Sequence, residues 1–310
     1  MAKILITGAA GFIGSHFTEL ILSRYDYSVI ALDKLTYAGS LANLRTVMNH
    51  PRLKFVLGDI CDQDLADGLF EEGVDLVVNF AAESHVDRSI ADAALFIQTN
   101  ISGTHVLLEA ARKGGVRRFL HVSTDEVYGP ALHGAFSEDA PLSPSSPYSA
   151  SKVGADLLVL AYGRTYGLPV VITRSANNYG PRQHTEKLIP KLITLAVAGM
   201  PLPLYGDGLQ VRDWIHVEDN CAAIDVVLHK GEDGQVYNAG TGRGMANLEV
   251  TRRILRTLGR PEDQILFTAD RPGHDRVYAV DTEKIGRLGW KPARDFGSGL
   301  AETVRWYLER

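Results

Sequence analysis

The sequence is poor in the residue patterns that mark disulfide-linked and metal-binding proteins. Its two cysteines, Cys61 and Cys221, form no CxxC motif and have no metal-ligand spacing. So few cysteines exclude a disulfide framework, and we expect both to be buried small hydrophobic side chains in a reducing compartment. None of the ten histidines belongs to an HExxH pattern. No metal site is therefore predicted.

Long apolar runs and an excess of positive charge are also missing. No run approaches the roughly 20 apolar residues that span a membrane. The short apolar run at the N-terminus enters a glycine turn, which argues against a signal peptide. Lysine and arginine number 32 against 37 aspartates and glutamates, for a net charge of −5. This balance predicts neither nucleic acid nor a membrane as a partner, and we expect a cytoplasmic protein.

The pattern of apolar residues predicts the fold class. With 310 residues, 45% of them hydrophobic, the chain can form a large core and two domains. Apolar, β-branched runs alternate with longer amphipathic stretches, which predicts βαβ units and a Rossmann-like, doubly wound parallel sheet. The predicted strands are 3–7, 28–33, 53–57, 76–80, 119–122 and 170–174, and the main predicted helices are 94–113 and 149–166.

After residue 174 proline and glycine become frequent and the alternation stops. We therefore predict that this half forms mostly a smaller, discontinuous α/β domain. The predicted division gives residues 1–175 plus 213–242 to the larger domain, and residues 176–212 plus 243–310 to the smaller domain.

A glycine-rich turn, GAAGFIG at 8–14, follows the first predicted strand and opens a helix. Glycines here let the backbone approach a pyrophosphate, whose charge the helix N-terminus favours. Asp33 ends the second strand, 19 residues after Gly14, where an acid accepts from the adenosine ribose. A carboxylate there repels a 2′-phosphate, which favours NAD, although the neighbouring Lys34 leaves NADP open.

Tyr148 and Lys152 are four residues apart and therefore share one face of the second predicted helix. A nearby ammonium favours phenolate, so we predict a lowered pKa for Tyr148 and a base that removes a hydroxyl proton. Thr124 can hydrogen-bond the same substrate oxygen. Such a pair is common by chance, but combined with the glycine turn it resembles the alcohol-oxidising set of the extended short-chain dehydrogenase/reductases.

Two adjacent acids, Asp125 and Glu126, follow the fifth predicted strand in VSTDEVYGP. Acidic pairs in loops are usually solvated surface or helix caps. In a cleft, one of the two must be neutral. Once an alcohol-oxidising site has converted the 4-hydroxyl of a hexose to a ketone, a base can remove the proton from C5 while an acid protonates the departing C6 hydroxyl. Two carboxyls with separated pKa values would serve as that base and acid.

Seven motifs together make the chain similar to the dTDP-glucose 4,6-dehydratases along nearly all its length. They lie at 8–14, 33–39, 81–89, 123–129, 148–152, 177–181 and 212–214. The resemblance implies that Asp125 is the acid at the C6 hydroxyl, Glu126 the base at C5 and Tyr148 the base at the 4-hydroxyl. It also implies bound NAD and a product used in deoxysugar biosynthesis.

The resemblance and the strand ends together predict two sets of binding residues. The NAD set is Gly8, Gly11, Phe12, Ile13, Gly14, Asp33, Lys34, Thr36, Gly39, Asp59, Ile60, Ala81, Ala82, Ser84, Thr99, Ser123, Tyr148, Lys152 and Asn178. The nucleotide-sugar set is Ser84, His85, Thr124, Asn177, Lys187, Leu188, Pro203, Leu204, Tyr205, Arg212, Asn247, Asp270, Arg271 and His274. The cations in the second set suit a diphosphate, although single cations are as often solvated surface.

Two other functions fit part of this pattern. A nucleotide-sugar 4-epimerase shares the cofactor site, Tyr148 and Lys152 but has no use for the acidic pair. A non-catalytic NAD-sensing module keeps only the fold, since one fold hosts many functions. The sequence leaves the nucleotide base open among dTDP, UDP, CDP and GDP. By analogy with the superfamily we expect a homodimer through the helices at 94–113 and 149–166. The loop at 130–144 is short for the family.

Overall fold

A computed structural model of the protein describes residues 1–131 and 134–309. Residues 132 and 133 belong to the short loop at 130–144 and lie outside the described part of the chain. The strands are β1 (Lys3–Thr7), β2 (Ser28–Asp33), β3 (Leu53–Leu57), β4 (Leu76–Asn79), β5 (Arg118–Thr124), β6 (Val170–Ser175), β7 (Asn177–Tyr179), β8 (Leu202–Tyr205), β9 (Val211–His216), β10 (Gln235–Ala239), β11 (Gly244–Ala246) and β12 (Ile265–Thr268).

The helices alternate with these strands. They are α1 (Phe12–Arg24), α2 (Gln63–Glu71), α3 (Val86–Ala91), α4 (Ala94–Phe96), α5 (Thr104–Gly114), α6 (Pro147–Tyr166), α7 (Leu188–Val197), α8 (Val217–Lys230), α9 (Asn247–Leu258), α10 (Glu283–Arg287) and α11 (Phe296–Leu308). A π-helical segment, Ile97–Gly103, joins α4 to α5, and 3₁₀ turns occupy Leu41–Leu44, Asp125–Tyr128 and Glu262–Gln264.

The larger sheet has seven parallel strands in the order β10-β6-β5-β4-β1-β2-β3. Ile4, Leu5 and Ile6 of β1 are fully buried, as expected for a central parallel strand covered on both faces. One face packs against α1 and α8, and the other against α2, α5 and α6. The predicted Rossmann-like, doubly wound sheet is confirmed.

The sequence locates the first three strands at their observed bounds and the next three within a few residues. The fifth strand runs further than predicted, through Thr124, so the acidic pair begins the 3₁₀ turn directly after it. The second long helix is α6, where Ser146 and Ser149 form a capping box and Gly167 ends the helix at φ 68°.

Two small sheets and three helices form the smaller part of the protein. One sheet has the order β11-β9-β7 and the other pairs β12 with β8. Helices α7, α9 and α11 surround a separate core that includes Leu192, Ile193, Ile254 and Leu300. Between β9 and β11 the chain returns to the larger sheet through α8 and β10. The residue bounds of the two domains stay a prediction.

The cysteines only partly follow the sequence analysis. Cys221 is buried, as predicted, but the prediction for Cys61 is wrong because its side chain is half-buried and its thiol lies 3.4 Å from the carbonyl oxygen of Gln98. Over residues 1–131 and 134–309, no cluster of three or more His, Cys, Asp or Glu side chains could hold a metal ion. No helix in those ranges has the length and apolar character needed to cross a membrane.

Candidate active site

A cavity of about 480 Å³ opens at the carboxyl ends of the parallel strands, where α/β proteins of this class bind ligands. Its lining includes Gly8, directly after β1, Asp33 at the end of β2, and Ser123 and Thr124 at the end of β5. Every residue of the predicted NAD set lines this one cavity. Their role as cofactor ligands stays a prediction, but the fold brings all of them together.

The glycine turn is packed so closely that no residue with a side chain could replace Gly8 or Gly14, as expected for a turn that binds a dinucleotide. A Cβ on Gly14 would lie 2.2 Å from the carbonyl oxygen of Gly8, and one on Gly8 would lie 2.8 Å from the backbone nitrogen of Ala81. Gly8 also has φ +64°, which favours glycine. The N-cap, Gly11, has no capping side chain, so the first amides of α1 are free to bind a pyrophosphate.

The adenosine end of the cavity carries two carboxylates. Asp33 accepts hydrogen bonds from the backbone nitrogens of Ala10 and Leu35, each at 2.8 Å. Lys34 Nζ lies 2.5 Å from Asp59 Oδ2. Lys34, the cation that made NADP possible, is therefore paired with Asp59. The carboxylates of Asp33 and Asp59 repel a 2′-phosphate. The residues at this end fit NAD.

Tyr148 and Lys152 reach the middle of the cavity from the first two turns of α6. The Tyr148 amide donates to Ser89 Oγ at 3.1 Å, and its ring meets Phe96 edge-on with centroids 6.4 Å apart. Thr124 hydrogen-bonds the Tyr148 side chain. Lys152 Nζ donates to the carbonyl oxygen of Val122 at 2.8 Å. It also lies 3.2 Å from His121 Nε2.

The electrostatics of this pair correct the sequence analysis. Burial and then the charge of Glu126 raise the pKa of Tyr148, while the hydrogen bond from Thr124 lowers it. Burial lowers the pKa of Lys152 to about 8, and Asp156 opposes that fall. The prediction of a lowered pKa for Tyr148 is therefore wrong, because burial and the nearby carboxylates raise that pKa.

The acidic pair is not a solvated surface pair. Asp125 is 3% exposed. Its Oδ1 accepts from Thr124 Oγ1 at 3.3 Å, and its Oδ2 has no hydrogen-bond partner among the described residues. Glu126 is half-buried beside it and lines the same cavity. The two carboxyls therefore meet in the cleft, next to Tyr148.

The surroundings of Asp125 and Glu126 act differently on their pKa values. Burial, Glu126 and Asp213 raise the pKa of Asp125 well above its ordinary value. Burial also raises the pKa of Glu126, but a set of cations opposes it: Arg212, Arg271 and Lys187. Asp125 is therefore the carboxyl that more readily holds a proton to give, and Glu126 is the one that more readily ionises and can accept one.

A buried polar network lies behind the site. Asp156 of α6 accepts from Arg174 Nε at 2.9 Å. Arg174 Nη1 donates to the Tyr128 hydroxyl at 2.9 Å, and that hydroxyl donates to Asn238 Oδ1 at 2.8 Å. Tyr128 ends the 3₁₀ turn that begins with Asp125. Arg174 thus connects the helix that carries Tyr148 and Lys152 to the turn that carries the acidic pair.

Five residues of the predicted nucleotide-sugar set line the cavity: Ser84, Thr124, Asn177, Lys187 and Leu188. Lys187 Nζ donates to the carbonyl oxygen of Ser84 at 2.7 Å, which ties the two domains together beside the acidic pair. The side-chain oxygens of Asn177 and Asn178 are buried and accept no hydrogen bond within the described chain. Buried polar groups of this kind are usually satisfied by a ligand or water.

The other nine lie outside the lining of the cavity: His85, Pro203, Leu204, Tyr205, Arg212, Asn247, Asp270, Arg271 and His274. Several of these form a polar layer beside it. Arg271 Nη1 donates to Asp87 Oδ1 at 3.2 Å, and the Tyr205 hydroxyl donates to Asp87 Oδ2 at 3.1 Å. His274 Nδ1 lies 2.5 Å from Asp270 Oδ1.

The remaining members of that group are buried or half-buried. Arg212 donates to the carbonyl oxygen of Asp275 at 2.8 Å and stacks on the Tyr278 ring at 4.2 Å. The Leu204 side chain belongs to the core of the smaller part, so only its backbone can meet a ligand. Asn247 has a buried side-chain oxygen with no partner among the described residues, whereas Pro203 is half-buried on β8. His85 caps α3 by accepting from the Arg88 amide at 3.3 Å.

Sequence reasoning missed several residues of the lining. They include Glu83, Gln183, His184, Glu186 and Trp214. The Glu186 carboxylate lies 3.6 Å from Arg88 Nη2 and 3.7 Å from His85 Nε2, on the other domain. One signal was available, because residues 182–187 are a dense polar stretch before an apolar run, and such loops often carry function.

Comparison with known proteins gives a consistent picture. The family model described as GDP-mannose 4,6 dehydratase matches residues 5–303. The low-salt glycan biosynthesis protein Agl12 of Haloferax volcanii is 55% identical over 98% of each chain. A dTDP-glucose 4,6-dehydratase of Actinoplanes sp. is 50% identical over 98% of this chain and 97% of its own.

The solved structures agree with these matches. The structure of DesIV, a dTDP-glucose 4,6-dehydratase from Streptomyces venezuelae with NAD and TYD bound, is similar with a TM-score of 0.98 and 52% identity. It covers 99% of this chain and 97% of that one.

Proposed function

The chain belongs to the GDP-mannose 4,6-dehydratase family, and we propose that it is a hydro-lyase that converts dTDP-glucose to dTDP-4-keto-6-deoxyglucose with bound NAD. The product would feed deoxysugar biosynthesis. One observation carries the proposal: the buried pair Asp125 and Glu126 shares a cavity with Tyr148 and Lys152. Relatives about 50% identical along the whole chain bear the name of this activity.

The first half of the reaction is an oxidation at C4. Thr124 and Tyr148 bind the 4-hydroxyl, and Tyr148 removes its proton. Lys152 supplies positive charge from within α6. Bound NAD would supply the hydride acceptor for C4 and the hydride donor for C6. Asp33 and the glycine turn hold the two ends of that cofactor.

The second half is an elimination of water. The 4-ketone acidifies the proton at C5, and Glu126 takes it. Asp125 gives its proton to the C6 hydroxyl, the C6–O bond breaks, and water leaves. Glu126 then returns a proton to C5, and a hydride is restored at C6, so the cycle is redox-neutral. The proton that Tyr148 took from the 4-hydroxyl replaces, by way of solvent, the one that Asp125 gave to the leaving water. The raised pKa of Asp125 supports its role as the acid.

The polar layer next to the cavity suits the nucleotide diphosphate. Lys187, Arg212 and Arg271 all act electrostatically on Glu126, so their positive charges converge near the sugar site. Charge-assisted bonds from such cations favour a diphosphate. We propose dTDP as the nucleotide, in line with the bound nucleotide of the DesIV structure.

The test is to incubate the purified protein with dTDP-glucose in deuterated water. We expect a 4-keto-6-deoxy sugar that carries deuterium at C5, with no net accumulation of NADH. A C4 epimer would instead identify a 4-epimerase. Retained NAD without turnover would identify a non-catalytic module. Parallel reactions with UDP-, CDP- and GDP-glucose decide the base.

We also propose a homodimer formed through the helices around α6. Ile97 and Leu157 are 52% and 54% exposed although both are large apolar residues, and both lie on the predicted pairing helices. Leu157→Glu is expected to convert a dimer to a monomer of 33.9 kDa in light scattering. Leu308→Glu, at a residue 55% exposed on α11, is the matched control and should leave the dimer intact. A wild-type monomer would contradict the proposal. The cytoplasmic location likewise stays a proposal.

A further inference from the structure

Asp156 has no part in the reaction steps, yet it lies on the catalytic face of α6. Tyr148, Lys152 and Asp156 follow one another at intervals of four residues and so form one stripe on the helix. Asp156 is fully buried. Its Oδ2 accepts from Arg174 Nε at 2.9 Å, and its Oδ1 lies 3.8 Å from His121 Nε2. An acid in such a place costs stability unless its charge is used or compensated.

Lys152 needs a counter-charge, because a buried ammonium tends to lose its proton. The charged and titratable groups around it are His121 on β5, Tyr148 and Asp156 on α6, and, beyond Asp156, Arg174 on β6. Burial and the charge of Lys152 itself lower the pKa of His121 well below its ordinary value. His121 is therefore neutral, and Asp156 is the anion on this side of the ammonium.

We propose that Asp156 is a positioning residue for the reaction: it is the buried counter-charge that keeps Lys152 protonated beside Tyr148. His121 Nε2 lies 3.2 Å from Lys152 Nζ and its Nδ1 lies 3.2 Å from Asn79 Nδ2, so the neutral ring is held on both sides and helps to position the ammonium. Burial raises the pKa of Asp156, but the charges of Arg174 and Lys152 lower it. The hydrogen bond from Arg174 Nε therefore favours the ionised form of Asp156. The inference rests on the proposed function, because it requires Lys152 to act on Tyr148.

The electrostatics agree with this geometry. Burial lowers the pKa of Lys152 to about 8, and Asp156 is the charged group that raises it. With the charge of Asp156 removed, burial would act unopposed and the ammonium would lose its proton at lower pH. A nearby opposite charge typically shifts a pKa by about one to three units.

The experiment is a titration of Lys152 by NMR in protein labelled with ¹³C at lysine Cε. The resonance is assigned by its loss in Lys152→Met. In Asp156→Asn we expect the midpoint to fall by about one unit or more below that of the wild type. In Asp156→Glu, which keeps the charge, it should stay near the wild-type value. An unchanged midpoint in Asp156→Asn would overturn the proposal.

Two further measurements keep the test decisive. Asp156→Asn leaves the Arg174 charge buried without its acid partner, so the double variant Asp156→Asn with Arg174→Met serves as the control for misfolding. It removes both charges and should also show a fall in the midpoint. The high-pH limb of the dehydration rate should shift by the same amount as the midpoint. Lost activity with an unmoved midpoint and an unmoved limb would mean a packing role only.

The titration needs no substrate, so its outcome is independent of the proposed function. A wild-type protein that makes the 4-keto-6-deoxy product while Asp156→Asn leaves the Lys152 midpoint unchanged would refute the role of Asp156 alone. A protein that makes no such product but shows the fall in midpoint would refute the proposed function and leave the electrostatic pairing standing.

Discussion

Tyr148→Phe is expected to lower the turnover of dTDP-glucose by about a hundred- to ten-thousand-fold, the usual cost of losing a general base. The phenylalanine ring keeps the edge-on contact with Phe96 and the backbone bond to Ser89, so the fold and the cofactor site should survive. Only the hydroxyl that takes the C4 proton is lost. In a single turnover, no absorbance from bound NADH should appear.

The matched control for that variant lies on the same helix. Tyr162 donates its hydroxyl to Glu109 Oε1 at 2.5 Å and does not line the cavity. Tyr162→Phe should therefore turn over like the wild type. Near-normal turnover in a folded Tyr148→Phe protein would show that another group removes the proton, and the assignment would then be wrong.

The second large effect separates the roles of the two acids. Glu126→Gln should still oxidise C4, so bound NADH should build up, but C5 should not exchange its hydrogen with deuterated water. Asp125→Asn should still exchange C5 through Glu126, while loss of water slows by about a hundredfold or more. Deuterium at C5 of recovered substrate is read by mass spectrometry beside the absorbance of bound NADH.

The controls for this pair are equally direct. Asp139→Asn removes one carboxylate from an exposed position beyond the same turn and should leave both steps unchanged. Exchange that is lost in Asp125→Asn but kept in Glu126→Gln would reverse the two roles. Wild-type rates in both variants would show that neither Asp125 nor Glu126 takes part in the reaction.

The cofactor half of the site could be predicted because its residues sit in contiguous motifs at the ends of strands. The glycine turn after β1 and Asp33 at the end of β2 need only local sequence and the rule that parallel strands share an edge. The assignment of Asp125 and Glu126 to the cleft also held, because β5 places its own C-terminal residues there.

What depended on long-range contacts was harder to predict. The sign of the Tyr148 pKa shift follows from burial and from Glu126, and neither the depth of the site nor that charge could be weighed from a spacing of four residues. Glu186 faces Arg88 across the cavity from a loop of the smaller part. Its position depends on how two separate cores pack, for which the sequence carried no periodic signal.

The path of the chain has a consequence for how the protein unfolds. The last strand of the larger sheet, β10, follows β7, β8 and β9 of the smaller part along the chain. Neither part is a contiguous stretch that could melt or be excised without removing structure from the other. Denaturation of one part should therefore disrupt the other, and a nucleotide bound at either end of the cavity should stabilise both parts together.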